Sequence, residues 1–154
     1  MKKSTVVVFF ATYGLFSLSG FLFPYDADWY TSLAKPEWTP NGALIGGIWA
    51  VLFGLISLSV AIVYQTNGFG RPNSEYLSLL SINYLLNQAF SFFQFQQHQL
   101  FTSFLDALFL ALTSLALIFL AGRQNKLAGW LLVPYFLWTS FATYLSWIIY
   151  VMNR

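Results

Sequence analysis

Four side-chain amides stand inside an otherwise apolar run: INYLLNQAFSFFQFQQ, residues 82–97, carries Asn83, Asn87, Gln88 and Gln94. In hydrocarbon an amide without a partner is expensive, so each must face another polar group. Asn83, Asn87, Phe90 and Gln94 follow helical spacings and fall on one stripe, which turns them toward protein and away from lipid. On that stripe Asn83 and Gln94 read as interhelical glue, worth about 0.6 kcal/mol on average in a membrane. Asn87 and Gln88 sit deeper, beside Phe90, and read as part of a pocket wall.

Aromatic residues supply the rest of that wall. Trp49, Phe53 and Ile56 share a helical face, and Trp49 lies deeper in its apolar run than a belt tryptophan should. A buried indole N–H wants an acceptor, and the amides of residues 82–97 are the expected source. Gly42 and Gly46 form a GxxxG, a weak packing signal. Further on, Tyr135, Trp138, Ala142 and Leu145 form a second stripe, in which a tryptophan one turn from an alanine makes a wall beside a notch. Such a shape suits a flat ring, although core packing is the commoner origin of an aromatic stripe. Pro134 should kink the helix that carries this stripe and leave a carbonyl near Trp130 without its donor.

Acid–base and metal chemistry are poorly supplied. Asp106 is the one carboxylate inside an apolar run, near a helix start where the dipole favours an anion. Intramembrane acids default to a functional reading. The structural alternative is a bond to Thr102, Ser103 or interfacial water. No second acid or base lies within a run, so a proton relay lacks its partner. The single histidine, His98, falls in a tight connection and should be solvated. It cannot build a zinc site alone. There is no cysteine, which excludes disulfides and thiolate catalysis. The spacing of Leu145, Tyr150 and Arg154 fits a proposed sterol-contact pattern that many helix ends match by chance.

These side chains must be positioned by membrane helices. The chain is 58% hydrophobic, 21% aromatic and only 8% charged. A soluble domain carries roughly 25% charged residues, because its surface faces water. Apolar runs at 4–23, 42–64, 76–95, 100–121 and 127–151 each approach or exceed the ~20 residues that cross a bilayer core. The expected fold is therefore an all-α integral membrane protein. It is a five-transmembrane-helix bundle in a single domain, 1–154, with a long loop between helices 1 and 2. Met1-Lys2-Lys3 before the first run resembles a signal peptide, but the run is long, its cleavage site weak, and further spans follow. Lys2, Lys3, Arg71, Arg123 and Lys126 fall on one side, and Lys35 and Arg154 on the other. That bias places the N-terminus in the cytoplasm and the C-terminus outside. The net charge of +2 is too small and scattered for a nucleic-acid partner.

The connection at 24–41, PYDADWYTSLAKPEWTPN, is long for a bundle. Asp26 or Asp28 can cap a short helix there, with Trp29 and Leu33 on one face. Lys35-Pro36 and Thr39-Pro40 then impose extended backbone. It reads equally as a lid over the bundle mouth and as an interfacial aromatic belt.

With six tryptophans, the loop motif KPEWTP and five spans in this length, the chain resembles the translocator protein family. That family is also called the tryptophan-rich sensory protein or peripheral-type benzodiazepine receptor family. The likeness runs through IGGIWAVLFG, INYLLNQAFSFFQF, FLDALFLA and VPYFLWTSFATYLSW, and a Bacillus-type bacterial member is the nearest pattern. The resemblance implies a homodimer in a lipid bilayer. It also implies a pocket for protoporphyrin IX and haem-type tetrapyrroles, sterols or isoquinoline-type ligands. Carried over by position, the ligand-binding residues are Tyr30, Pro40, Trp49, Phe53, Asn87, Gln88, Phe90, Trp138, Ala142 and Leu145. Some bacterial members degrade protoporphyrin in light, which would make Trp49 and Trp138 the catalytic residues. No cofactor is required and no metal is expected; porphyrin is ligand or substrate. Asn41 replaces a second proline of the loop motif and should loosen the lid. Trp147 replaces the family's sterol-contact tyrosine, which weakens the sterol expectation. Two rival readings are a proton- or ion-coupled transporter using Asp106, and a regulatory membrane subunit without a small-molecule ligand.

Overall fold

The computed structural model describes residues 2–154, and among them every regular element is helical. The chain runs through α1 (Lys3–Leu22), α2 (Ala27–Ser32), α3 (Gly42–Asn67), α4 (Ser74–Ser91), α5 (Leu100–Gln124), α6 (Lys126–Leu131) and α7 (Val133–Asn153). A 3₁₀ turn at Arg71–Asn73 precedes α4, and a π-helical turn at Phe92–Gln96 extends it.

Among the described residues four helical segments are long and apolar enough to cross a membrane: Lys3–Leu22, Gly42–Asn67, Leu100–Gln124 and Lys126–Asn153. The run expected at 76–95 becomes α4, and it is the exception. Its amides and serines dilute its apolar character below that of the other four. The outer surface is apolar, with Val7, Phe10, Phe21, Leu85, Phe119 and Leu137 all exposed. The chain is thus an integral membrane protein, and lipid covers this surface.

The expected kink at Pro134 becomes a break. α6 stops at Leu131, and Pro134 sits in the first turn of α7, where its missing N–H leaves no bond unmade. The Leu132 N–H closes onto the Gly129 carbonyl at 3.1 Å, so the interruption is hydrogen-bonded within itself. α6 crosses α5 at close range. A Cβ on Gly129 would lie 2.8 Å from the Gly122 Cα and 2.9 Å from the Ile118 carbonyl oxygen. Only glycine permits that approach. Ser59 Oγ, fully buried, donates to the Ala128 carbonyl at 2.7 Å and ties α3 to the same crossing.

Connections lie at two opposite ends. At one, Asn67 Nδ2 donates to Gln124 Oε1 at 2.9 Å, joining the ends of α3 and α5. At the other, residues 23–41 fold over the bundle mouth. Asp26 Oδ1 accepts from the Trp29 N–H and caps α2, as the sequence leads one to expect. Asn41 caps α3 by accepting from the Leu44 N–H at 2.8 Å.

Candidate functional site

Beneath residues 23–41 lies a cavity of about 400 Å³, within the size range of small-molecule sites. α3 brings Trp49 and Phe53 to it, α4 brings Asn87 and Phe90, and α7 brings Trp138, Ala142 and Leu145. Ala107 and Leu110 of α5 lie along one side, and Tyr25 and Tyr30 of the lid close the top. No Lys, Arg, His, Asp or Glu lines it. The interior is therefore neutral, aromatic and sparsely polar.

Each wall is held by packing that the sequence makes inevitable. Trp49 stacks obliquely on Phe53 at 5.5 Å and meets Tyr135 edge-on at 6.2 Å. Such contacts each add about 0.5–1.5 kcal/mol beyond burial. Tyr135 itself is completely buried and is the hub of the polar interior. Its hydroxyl donates to Asn83 Oδ1 at 2.8 Å and accepts from Asn87 Nδ2 at 3.0 Å. Asn83 Nδ2 donates in turn to the hydroxyls of Thr113 and Ser114 at 2.9 and 3.0 Å, which binds α4 to α5 and α7.

This network redistributes the expected roles of the amides. Asn83 is glue, as its position suggests. Trp49, by contrast, draws no bond from the amides, because Tyr135 occupies them. Gln88 turns away from the cavity. Its Nε2 donates to the Phe16 carbonyl at 3.0 Å and to Asn87 Oδ1 at 3.2 Å, while its Oε1 accepts from the Ser19 N–H at 2.8 Å. Gln88 therefore fastens α1 to α4. Gln94 does the reverse: expected as glue, it lines the cavity, is 5% exposed, and its Oε1 has no hydrogen-bond partner. Gln94 lies in the π turn and faces the cavity together with Asn87 and Phe90 of the same stripe. Pro40 is half-buried in the lid but does not reach the cavity. The remaining expected residues, Tyr30, Trp49, Phe53, Asn87, Phe90, Trp138, Ala142 and Leu145, are brought together on its wall.

α1 contributes residues that the sequence reading did not single out. Tyr13, Ser17 and Gly20 line the cavity from one face of that helix. The available signal was their polar or small character at helical spacing in a helix otherwise rich in Val, Phe and Leu.

The lid is fastened at several points. Asn153 of α7 pairs with the backbone of Ala34, accepting its N–H at 2.9 Å and donating to its carbonyl at 2.8 Å. Trp38 stacks on Tyr144 of α7 with centroids 6.0 Å apart. His98, exposed as expected, is nonetheless engaged. Its ring stacks on Trp29 at 4.2 Å and 6°, and its Nε2 lies 3.2 Å from Asp26 Oδ2. Lys35 Nζ donates to the carbonyls of Tyr30 and Leu33 and sits 4.7 Å above the Tyr30 ring. Burial pushes the Tyr30 phenol up to about 12, with the nearby Tyr25 adding to the effect. Tyr30 therefore stays a neutral hydroxyl across the physiological range.

Asp106 lies outside this arrangement. It is buried on α5, its Oδ2 lacks a partner, and it does not line the cavity. The expected bond to Ser103 is not made, since Ser103 Oγ donates to the Gln99 carbonyl instead. Among the described residues no cluster of His, Cys, Asp or Glu could hold a metal ion.

The TspO/MBR family model matches residues 5–152. The tryptophan-rich protein TspO of Bacillus cereus is 57% identical over 153 residues, covering 99% of each chain. The uncharacterized membrane protein YtaB of Bacillus subtilis is 53% identical over 155 residues, again covering 99% of each. The translocator protein of Homo sapiens is 27% identical over 142 residues, 92% of this chain and 84% of its own. The family-model match over residues 5–152 and the 57% identity covering 99% of each chain make this integral membrane protein a member of the TspO/MBR family.

Proposed function

We propose that this protein is a membrane receptor or transporter-like protein for porphyrins, protoporphyrin IX and haem-type tetrapyrroles above all. Other flat hydrophobic molecules such as isoquinolines fit the same description. The observation that carries the reading is the neutral cavity walled by Trp49, Phe53, Phe90 and Trp138 beneath a fastened lid. A flat apolar disc gains from aromatic walls on both faces, and Ala142 leaves a notch for its edge. Its propionates would lie toward the lid, where Lys35 is the nearest cation in sequence. Asn87, already oriented by Tyr135 and Gln88, offers a fixed polar contact. Protoporphyrin should quench tryptophan fluorescence saturably, and Trp138→Ala should weaken that binding at least about tenfold. Unsaturable quenching that is identical in both proteins would dismiss the cavity as the site.

A light-driven oxidation of bound protoporphyrin, with dioxygen as oxidant, is the second reading. It is favoured by Trp49 and Trp138 on the cavity wall and by the Trp49–Tyr135 contact. In it the excited porphyrin exchanges an electron with an indole. The reading ends if Trp49→Phe and Trp138→Phe consume illuminated protoporphyrin at the parental rate.

For topology, the proposed bundle has five spans, with α4 as the fifth. The 18 residues of α4 rise about 27 Å, and its outward residues Ile82 and Leu85 are exposed and apolar. It runs from the end bearing Arg71 to the end where His98 meets Asp26. The N-terminus is then cytoplasmic, and the working assembly is a homodimer. Because the chain has no cysteine, single substitutions report sidedness directly. Lys35→Cys should react with an impermeant thiol reagent in intact cells, and Arg123→Cys should not.

A further inference from the structure

Three of the four amides of residues 83–94 are bonded to protein through both oxygen and nitrogen. Asn83 bridges Tyr135, Thr113 and Ser114; Asn87 accepts from Gln88 and donates to Tyr135; Gln88 holds the backbone of α1. Gln94 is equally buried and lines the same cavity, yet its Oε1 accepts nothing. Across the cavity wall Trp138 presents the complementary defect, an indole N–H without an acceptor. Leaving a buried polar atom unpaired costs about 1–3 kcal/mol, so such atoms in a native interior call for an explanation.

The explanation lies in where these atoms are. Both residues border the cavity, and Gln94 stands in the π turn, an irregularity that recurs at functional sites. The terminal torsion of a glutamine is broad, so its amide can swing Oε1 onto the cavity at little cost. Elsewhere on the wall Tyr13, Ser17 and Thr139 already donate to backbone carbonyls.

We propose that Gln94 is a specificity-determining residue whose Oε1 accepts a hydrogen bond from the ligand, selecting flat ligands that carry an N–H donor at their edge, such as secondary amides and lactams. Trp138 Nε1 donates to the carbonyl beside that N–H. This assignment rests on the cavity being the ligand site and ranks amide-type ligands among themselves; protoporphyrin, whose N–H groups lie at its centre, makes no use of Oε1. Ligands of the same shape without the donor lose this contact and leave Oε1 unpaired, and a polar site rejects such analogues more strongly than an apolar one does.

The test uses the full chain in detergent and two isoquinoline carboxamides, one a secondary amide and the other its N-methyl tertiary counterpart. Affinities are measured by calorimetry. Gln94→Met should weaken the secondary amide about tenfold and leave the tertiary amide unchanged, which also serves as the folding control. Trp138→Phe should weaken both amides by the same factor, because both retain the carbonyl. Should Gln94→Met bind neither amide, Gln94→Asn, which withdraws the amide by one methylene, must show the same selective loss. Equal losses for the two amides, or none, would mean that water or a neighbouring side chain satisfies Oε1, and would overturn the assignment while leaving the cavity as the ligand site. Wild-type protein that binds protoporphyrin but neither amide also overturns it. Failure of wild-type protein to bind any of the three ligands removes both readings together.

Discussion

Asn83 and Gln94 are chemically alike and were expected on one stripe of one helix, yet they sit in opposite surroundings. Around Asn83 the bundle is closed. Its amide joins α4 to α5 and α7, and nearby α6 presses so tightly on α5 that no side chain fits at Gly129. Around Gln94 the helix has widened into a π turn, the interior is hollow, and polar atoms lack partners. The Asn83 amide has its contacts satisfied by three side chains; the Gln94 oxygen beneath the lid has none. A folded chain gains nothing from unpaired buried atoms, so the difference marks where stability yields to binding.

Breaking the closed half should have the largest effect. Gly129→Ala places a methyl against backbone atoms of Gly122 and Ile118 that cannot retreat. It should lower stability by about 3 kcal/mol, read as a reduced midpoint in thermal unfolding in detergent. A neutral outcome would mean that the α5–α6 crossing is not held this close. Next, Asn83→Leu strands the Tyr135 hydroxyl and should cost about 2 kcal/mol, whereas Gln94→Met removes one unpaired buried oxygen and no protein bond, and should stabilise by about 1 kcal/mol. This pair is the sharpest probe of the contrast: similar losses in the two variants would erase it.

The lid offers smaller effects. Asn153→Ala removes two bonds to Ala34 and should raise amide exchange in residues 27–34 several-fold while leaving α5 and α6 unchanged. His98→Ala, which removes a stack and a surface contact, should do the same to a lesser degree. The smallest is a pH effect at Tyr30. Its phenol ionises near 10 when exposed but only at about 12 under the lid. An exposed phenol loses its proton first, so the closed lid should weaken as pH rises from 10 toward 12. Tyrosinate absorbance, lost from this transition in Tyr30→Phe, would record it.

Much of the closed half was legible in the sequence. Apolar runs of membrane length predict the helices, and Asp26 announces the cap of α2. Asn83 follows helical spacing closely enough for its bridging role to be read. The hollow half was less legible, for physical reasons. Helical spacing puts Gln94 on the inward stripe but does not reveal that its oxygen is left without a partner, nor that Gln88 reaches across to the backbone of α1. The neighbour of Trp49 proved to be Tyr135, because a phenol that both donates and accepts bridges two amides where an indole satisfies only one. The dilution of α4 by its own polar groups has the same origin: a helix that must bond to three neighbours cannot also be uniformly apolar.

The Asn153–Ala34 pairing orders events during synthesis as well as holding the lid. The two residues are 119 positions apart. At ~5–20 residues per second the lid is made roughly 6–24 s before its anchor exists. Through that interval a nascent bundle of α1, α3, α4 and α5 has its lid held by the His98 contacts but not by α7. The last helix to enter the bilayer is the one that brings Trp138 and closes the chamber, so an occupant present in the membrane at that moment could be enclosed as the chain is completed.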